Sequence, residues 1–285
     1  DVIRFGRYCE TSVDPGDLQA MRELCRQRFY IIDMASDLKR KVIALLDQVF
    51  PEYEKLFSDS FGLSSMELLS QYTTPEEMLS VSSHQLAEVL KKASRGRLGA
   101  EKAVEIQDAA KNSFGIVMVS SSFSLIIRQY IEQIRSLESS VDIFDTEIAR
   151  LLSGFDTQLT TITGIGSTLA AVILSEIGGD IRRFSSPAKL AAYAGVDPTV
   201  KQSGDFSGTR IKMSKRGSPY LRRAIWLAST VAAFKDPVIH ALYERKRAEG
   251  KDHMTVIGHV CRKMISIIFA VLRDNTPYVP AGISD

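Results

Sequence analysis

Apolar positions between residues 123 and 151 recur in a strict alternation of four and three: Phe123, Ile127, Tyr130, Ile134, Leu137, Val141, Phe144, Ile148 and Leu151. An unbroken a/d seam of this length predicts a long coiled-coil helix, because a repeat averaging 3.5 residues keeps one stripe turned toward a partner helix. Leu18, Met21, Leu24, Ile31, Leu38, Val42, Leu45 and Val49 form a second, less regular stripe that stops before Pro51. Two helices of similar length predict an antiparallel pair. The same seams also suit zipping onto another protomer.

Shorter helices with recognisable starts lie between them. Thr74-Pro75-Glu76-Glu77 supplies a cap residue, a proline and acids for a first turn, and Ser82-Ser83 supplies another cap. Residues 94–99 (Ser-Arg-Gly-Arg-Leu-Gly) read as a loop, so the insertion is a small helical cap on a stalk. From Gly154 the character changes. Ile162-Thr163-Gly164-Ile165-Gly166 forms a hairpin running into a helix from Ser167, which Gly178 and Gly179 close. Ser185-Ser186-Pro187 starts a small apolar helix. The stretch from Pro198 to Gly217 reads as an irregular loop or short hairpin. Tyr220–Phe234 is a helix with Leu221, Ile225 and Trp226 toward a core, and Val256–Leu272 is a final amphipathic helix.

The fold class is therefore mostly α: a long coiled-coil helix pair with a small helical insertion, then a helical domain with a helix-hairpin-helix-like motif. The divisions read as 1–16, 17–153 for oligomerisation and 154–285 for nucleic-acid binding. Length and an apolar content of 45% allow two domains with a real core. Cys9, Cys25 and Cys261 have no metal-ligand spacing and predict reduced thiols in a cytoplasmic protein. No stretch is read as long or apolar enough to cross a membrane, and no signal peptide is visible. A first residue of Asp1 rather than Met is read as the start of an excised or processed chain.

Charge redirects this picture toward nucleic acid. The net charge is only +2, yet residues 182–223 hold ten basic side chains against Asp197 and Asp205, a local +8 that leaves −6 elsewhere. The ten are Arg182, Arg183, Lys189, Lys201, Arg210, Lys212, Lys215, Arg216, Arg222 and Arg223. Such asymmetry is the footprint of a polyanion site. Gly164 and Gly166 would expose amides at a helix start, where the dipole favours a phosphate oxygen. The same Gly-Ile-Gly also serves as an ordinary tight turn between packed helices. Within the basic stretch, Ser203 precedes Gly204. A serine needs a base, a metal or dense positive charge to attack phosphorus, and glycine lets a DNA backbone approach. Serines before glycine also simply make turns, and Tyr193 and Tyr220 are rival nucleophiles. Glu176 and Asp180 read as caps or surface charges, and Asp142, Asp145 and Glu147 as solvent-facing, so no two-metal nuclease site is supported.

Several motifs then coincide in order and spacing: Thr163-Gly164-Ile165-Gly166 with Ala170, Phe184, the run from Leu190 to Pro198, Gln202-Ser203-Gly204, the run from Met213 to Gly217, and Leu221-Arg222-Arg223-Ala224. Over residues 155–275 they resemble the C-terminal transposase domain of the bridge-RNA-guided insertion-sequence recombinases, DEDD transposases with a RuvC-like N-terminal domain. The coiled-coil region is similar by position and pattern. The resemblance implies a DNA transposase that cuts and rejoins strands through a serine, here Ser203. It implies Mg2+ held by four acids of the RuvC-like domain, which would precede Asp1, so that this chain alone holds no cofactor. It also implies DNA and a structured guide RNA as partners, in a homo-dimer or tetramer without a membrane in a prokaryotic cell. The competing reading is a non-catalytic, sequence-tolerant nucleic-acid-binding and oligomerisation module.

Overall fold

The computed structural model describes residues 16–118, 120–197, 202–203, 206–207 and 213–280, the pairs 202–203 and 206–207 by backbone alone. The protein is mostly α-helical and divides into two compact units, residues 29–143 and residues 1–28 with 144–285. It opens with α1 (Gly16–Val49), a 34-residue helix. Its buried positions include Leu18, Met21, Cys25, Phe29, Ala35, Val42, Leu46 and Val49. The inward face thus shifts from the expected stripe: Leu24 and Leu45 are only half-buried while Cys25 and Leu46 are enclosed. Cysteine and alanine pack inward where a count of large apolar residues overlooks them.

In the unit of residues 29–143, α1 is followed by a 3-10 turn at Pro51–Leu56 and four short helices: α2 (Leu63–Gln71), α3 (Pro75–Leu79), α4 (Ser83–Ala93) and α5 (Ala100–Lys111). Both expected caps are present. The Thr74 hydroxyl accepts from the Glu77 amide, and Ser82 and Gln85 make a reciprocal capping box. Glu77 does more than cap α3. Its Oε2 accepts the Thr73 amide at 2.7 Å, while Oε1 accepts the Ser124 hydroxyl at 2.6 Å and pairs with Arg128 at 2.8 Å. Ser124 and Arg128 lie on α6 (Ser120–Leu152). One continuous core joins α1 to these helices and α6, through Leu46, Tyr53, Leu68, Leu86, Ile106 and Ile131. Lys39 pairs with Glu138, and the Ile116 amide donates to the Gln48 carbonyl. As α1 advances its partners run backward along the chain, so the two strands of this unit's stalk are antiparallel. Every position of the α6 seam is buried or half-buried.

The other unit is built around α7 (Ser167–Ile177), buried on all sides from Ala170 to Ile177. A largely apolar helix enclosed on every face belongs inside a domain, and the two polar side chains of its last turn, Ser175 and Glu176, are buried with it. The same unit holds α8 (Pro187–Ala194), the two-residue strands β1 (Gln202–Ser203) and β2 (Phe206–Ser207), α9 (Pro219–Lys235), α10 (Pro237–Ala248) and α11 (His253–Asp274). α9 packs on α7, α10 and α11, and the fully buried Ala224, Ala228 and Ala232 give it a smooth face for close approach. α10 was not foreseen in the sequence. Its signal is Asp236-Pro237: the buried Asp236 carboxylate accepts from the amides of Val238 and Ile239, and Pro237 fills the first turn. α11 corrects the expectation about membranes, since by length and composition it is apolar enough to span one. More than half of it is buried here against α8, α9 and α10, as suits a core helix.

Candidate nucleic-acid interface

The two hairpin glycines do different work. Gly164 has a φ of +90°, and a Cβ there would stand 2.5 Å from the Ala228 carbonyl oxygen. It permits the turn to press against the backbone of α9. Gly166 caps α7, and a Cβ there would meet nothing within 4 Å. A carboxylate attends this helix start: Thr168 donates to Asp145 at 3.0 Å, and Arg28 grips Asp145 at 2.6 and 2.8 Å. Asp145 is therefore half-buried structure and not the solvated charge expected of it.

Arg182 and Arg183 lie at the opposite end of α7. Arg182 makes a bidentate pair with Asp180, and Arg183 donates to the Ile177 carbonyl, where cations complement a helix C-terminus. Lys201, Gly204, Arg210 and Lys212 lie outside the described residues. Ser203 is described in its backbone: β1 and β2 pair antiparallel, Gln202 with Ser207 and Ser203 with Phe206.

The segments flanking that hairpin clasp one another. The Ser214 amide donates to the Asp197 carbonyl at 2.8 Å, Lys215 to Gly195 at 3.0 Å and Ser218 to Tyr193 at 2.9 Å. Two left-handed glycines make the approach possible. A Cβ on Gly195 would stand 2.0 Å from the Arg216 carbonyl oxygen, and one on Gly217 would stand 1.9 Å from that of Tyr193. The Ser214 hydroxyl also donates to the Asp197 carboxylate, and Arg222 reaches the Ala194 carbonyl at 3.3 Å. Lys215 itself sits at a φ of +54°, a conformation unusual for a side chain with a Cβ.

Glu176 holds the clasp from beneath. Sequence reading placed it as a cap or surface charge, but its side chain is only 2% exposed. Arg26 of α1 approaches at 2.7 and 3.2 Å, and Ser218, which caps α9, donates to it at 2.7 Å. Tyr193 donates its hydroxyl to the Glu176 carbonyl and rests on Phe184, while the Tyr220 ring lies beneath Arg26. Both tyrosines thus pack or bond within this network. A charge this buried requires such partners, and one carboxylate ties α1, α7 and the start of α9 together.

Beside the clasp, α9 and α11 border a cleft of about 1180 Å³. Its lining includes Lys215, Arg222, Arg223, His259 and Arg262, with no acidic side chain among the described residues, alongside Met213, Trp226, Leu227 and Met254. Trp226 is half-buried and faces this space in part rather than the core alone. Burial and the nearby Lys251, Lys246 and Arg262 hold His259 below its usual value. His259 and Arg262 were not singled out from sequence; their spacing on α11 carries no motif. Among the described residues no three His, Cys, Asp or Glu side chains are grouped to hold a metal ion. Cys25 and Cys261 are buried free thiols, which burial pushes up to about 12 and about 11.

Residues 156–244, which span α7 to α9 and the hairpin, match the family described as Transposase IS116/IS110/IS902 family. The chain is 28% identical over 261 residues to an insertion element IS110 protein of Streptomyces coelicolor, covering 88% of this chain and 64% of that one. It is 28% identical over 230 residues to an insertion element IS900 protein of Mycobacterium paratuberculosis, covering 80% and 57%. A pilin gene-inverting protein of Moraxella bovis is 29% identical over 165 residues, or 55% and 51%. The chain thus spans about three fifths of the length of the two insertion-element relatives.

Proposed function

We propose that this chain is the oligomerising and serine-bearing part of a DNA transposase that cuts and rejoins strands. The observation that carries the reading is the clasp: Gly195 and Gly217 fix both ends of the segment containing Ser203 beside a cleft lined by cations. Similarity to transposase and gene-inverting proteins supports it.

On this reading the Ser203 oxygen attacks a backbone phosphorus. A new Oγ–P bond replaces one P–O bond to deoxyribose, the leaving oxygen takes up a proton, and the serine proton passes to a base. Rejoining reverses the step with a different deoxyribose hydroxyl, so the phosphodiester count is conserved. Lys215, Arg222 and Arg223 would neutralise the charge that builds on the phosphoryl oxygens. The magnesium implied by the resemblance would be held by acidic residues outside this chain, and no step here is assigned to it. A structured guide RNA and a dimer or tetramer complete the proposal, with the antiparallel stalk as the assembly surface.

The test is Ser203→Ala in the complete transposase, followed by denaturing gels for a covalent protein–DNA species. We expect the adduct and recombination to vanish while duplex affinity changes less than about threefold, since a hydroxyl adds little to a phosphate-dominated contact. Normal recombination by the variant would leave only a nucleic-acid-binding module.

A further inference from the structure

We infer that the cleft between α9 and α11 is a slot for an unpaired nucleotide, its base against Trp226 and Met254 and its phosphate at the arginine rim. The inference rests on the nucleic-acid reading above and goes beyond it, because gripping a duplex backbone asks only for cations on an accessible surface. This cleft offers more. Met254 and Leu227 remain 60% and 42% exposed on its walls, and the half-buried Trp226 belongs to the same lining. Apolar side chains left open to water beside a group of cations match a ligand that is flat and apolar at one end and anionic at the other.

The geometry of the two helices explains the arrangement. Met254, Gly258 and Arg262 repeat every four residues on α11, so one face presents a thioether, a gap and a guanidinium in line. On α9, Arg222 and Arg223 precede Trp226 and Leu227 by one turn, which sets the cations toward one end of the slot. Gly258 leaves the floor low, with only the Met213 terminal methyl near where a Cβ would lie, at 4.0 Å. Three arginines suit phosphate better than scattered lysines would, since a guanidinium offers paired donors. Indole stacking tolerates any base. The described lining holds cations and no acidic side chain, which opposes a basic ligand, and an acidic peptide is the competing occupant that the experiment separates.

Trp226 is the chain's single tryptophan, so its fluorescence reports on the slot directly. The 285-residue chain is titrated with oligothymidylate, a blunt duplex and polyglutamate, and binding is followed in parallel by anisotropy of labelled probes. Oligothymidylate should quench Trp226 saturably, whereas the duplex should bind with its emission nearly unchanged. Met254→Ala and Arg262→Ala, both at exposed positions, should each weaken oligothymidylate binding by about tenfold. Duplex binding by the same variants should change far less. Unchanged emission on oligothymidylate, with salt-sensitive duplex binding retained, overturns the slot and leaves the nucleic-acid reading standing. Equal quenching by polyglutamate overturns it in favour of an acidic protein segment. Loss of binding to every DNA form overturns both readings together.

Discussion

Glu176 concentrates two roles in one carboxylate, pairing with Arg26 and accepting the hydroxyl that caps α9, while its main-chain carbonyl accepts the Tyr193 hydroxyl. Replacing it with Gln keeps the volume and removes the charge. Arg26 is partly exposed and can rehydrate, so Glu176→Gln should cost about 2 kcal/mol rather than the larger loss of a sealed pair. The shift of the urea midpoint measures this. Glu77 makes a different prediction. Burial raises its pKa, but the Ser124 hydroxyl, the Thr73 amide and Arg128 outweigh that and hold it below the usual 4.5. A carboxylate depressed in the folded state contributes stability that is whole above its unfolded pKa and is lost as pH falls through the folded one. The wild-type chain should therefore lose more stability than Glu77→Gln between pH 5 and lower values, at about one pH unit per step of a thermal-melt series. Parallel curves would remove Glu77 from the account.

At the scale of elements, caps and clasps differ in how far they reach. Thr74, Ser82 and Ser218 each accept an amide three residues ahead, which is why these starts obey local rules. The clasp joins residues about twenty apart mainly through backbone hydrogen bonds, and its close approach rests on two glycines. Gly217→Ala would add a methyl 1.9 Å from the Tyr193 carbonyl oxygen at a positive φ. The Lys215 and Ser218 amides should then lose at least about tenfold of their hydrogen-exchange protection, since strain of this kind is worth one or more kcal/mol. Recombination by the complete protein should fall further than duplex affinity does. Unaltered exchange at both amides would show that the clasp does not depend on Gly217.

Across the whole molecule, a net charge of +2 conceals a basic segment set in an acidic remainder. DNA affinity should accordingly drop steeply with salt although the chain as a whole is nearly neutral. Arg223→Gln should reduce the slope of log K against log salt by about 0.9, the value for one lost phosphate contact, and do so equally on unrelated sequences. A sequence-dependent loss with an unchanged slope would instead make Arg223 a reader of bases.

The helices, most of their caps, the α6 seam and the basic stretch were legible in the sequence, because each depends on residues three or four apart or on composition within one stretch. α10 was not read from the sequence although Asp236-Pro237 marks its start, because a short polar helix lacks a strong apolar period. The inward face of α1 was read in part: Leu45 packs against the core, but a helix face is chosen by what packs on it, and the buried Cys25 and Ala35 were not counted. Only the tertiary structure buried Glu176 against an arginine 150 positions away, brought Gly195 against Gly217, and set His259 and Arg262 opposite Trp226. Contacts between residues so distant along the chain leave no periodic trace in it. They are fixed when helices meet, and there the site takes its form.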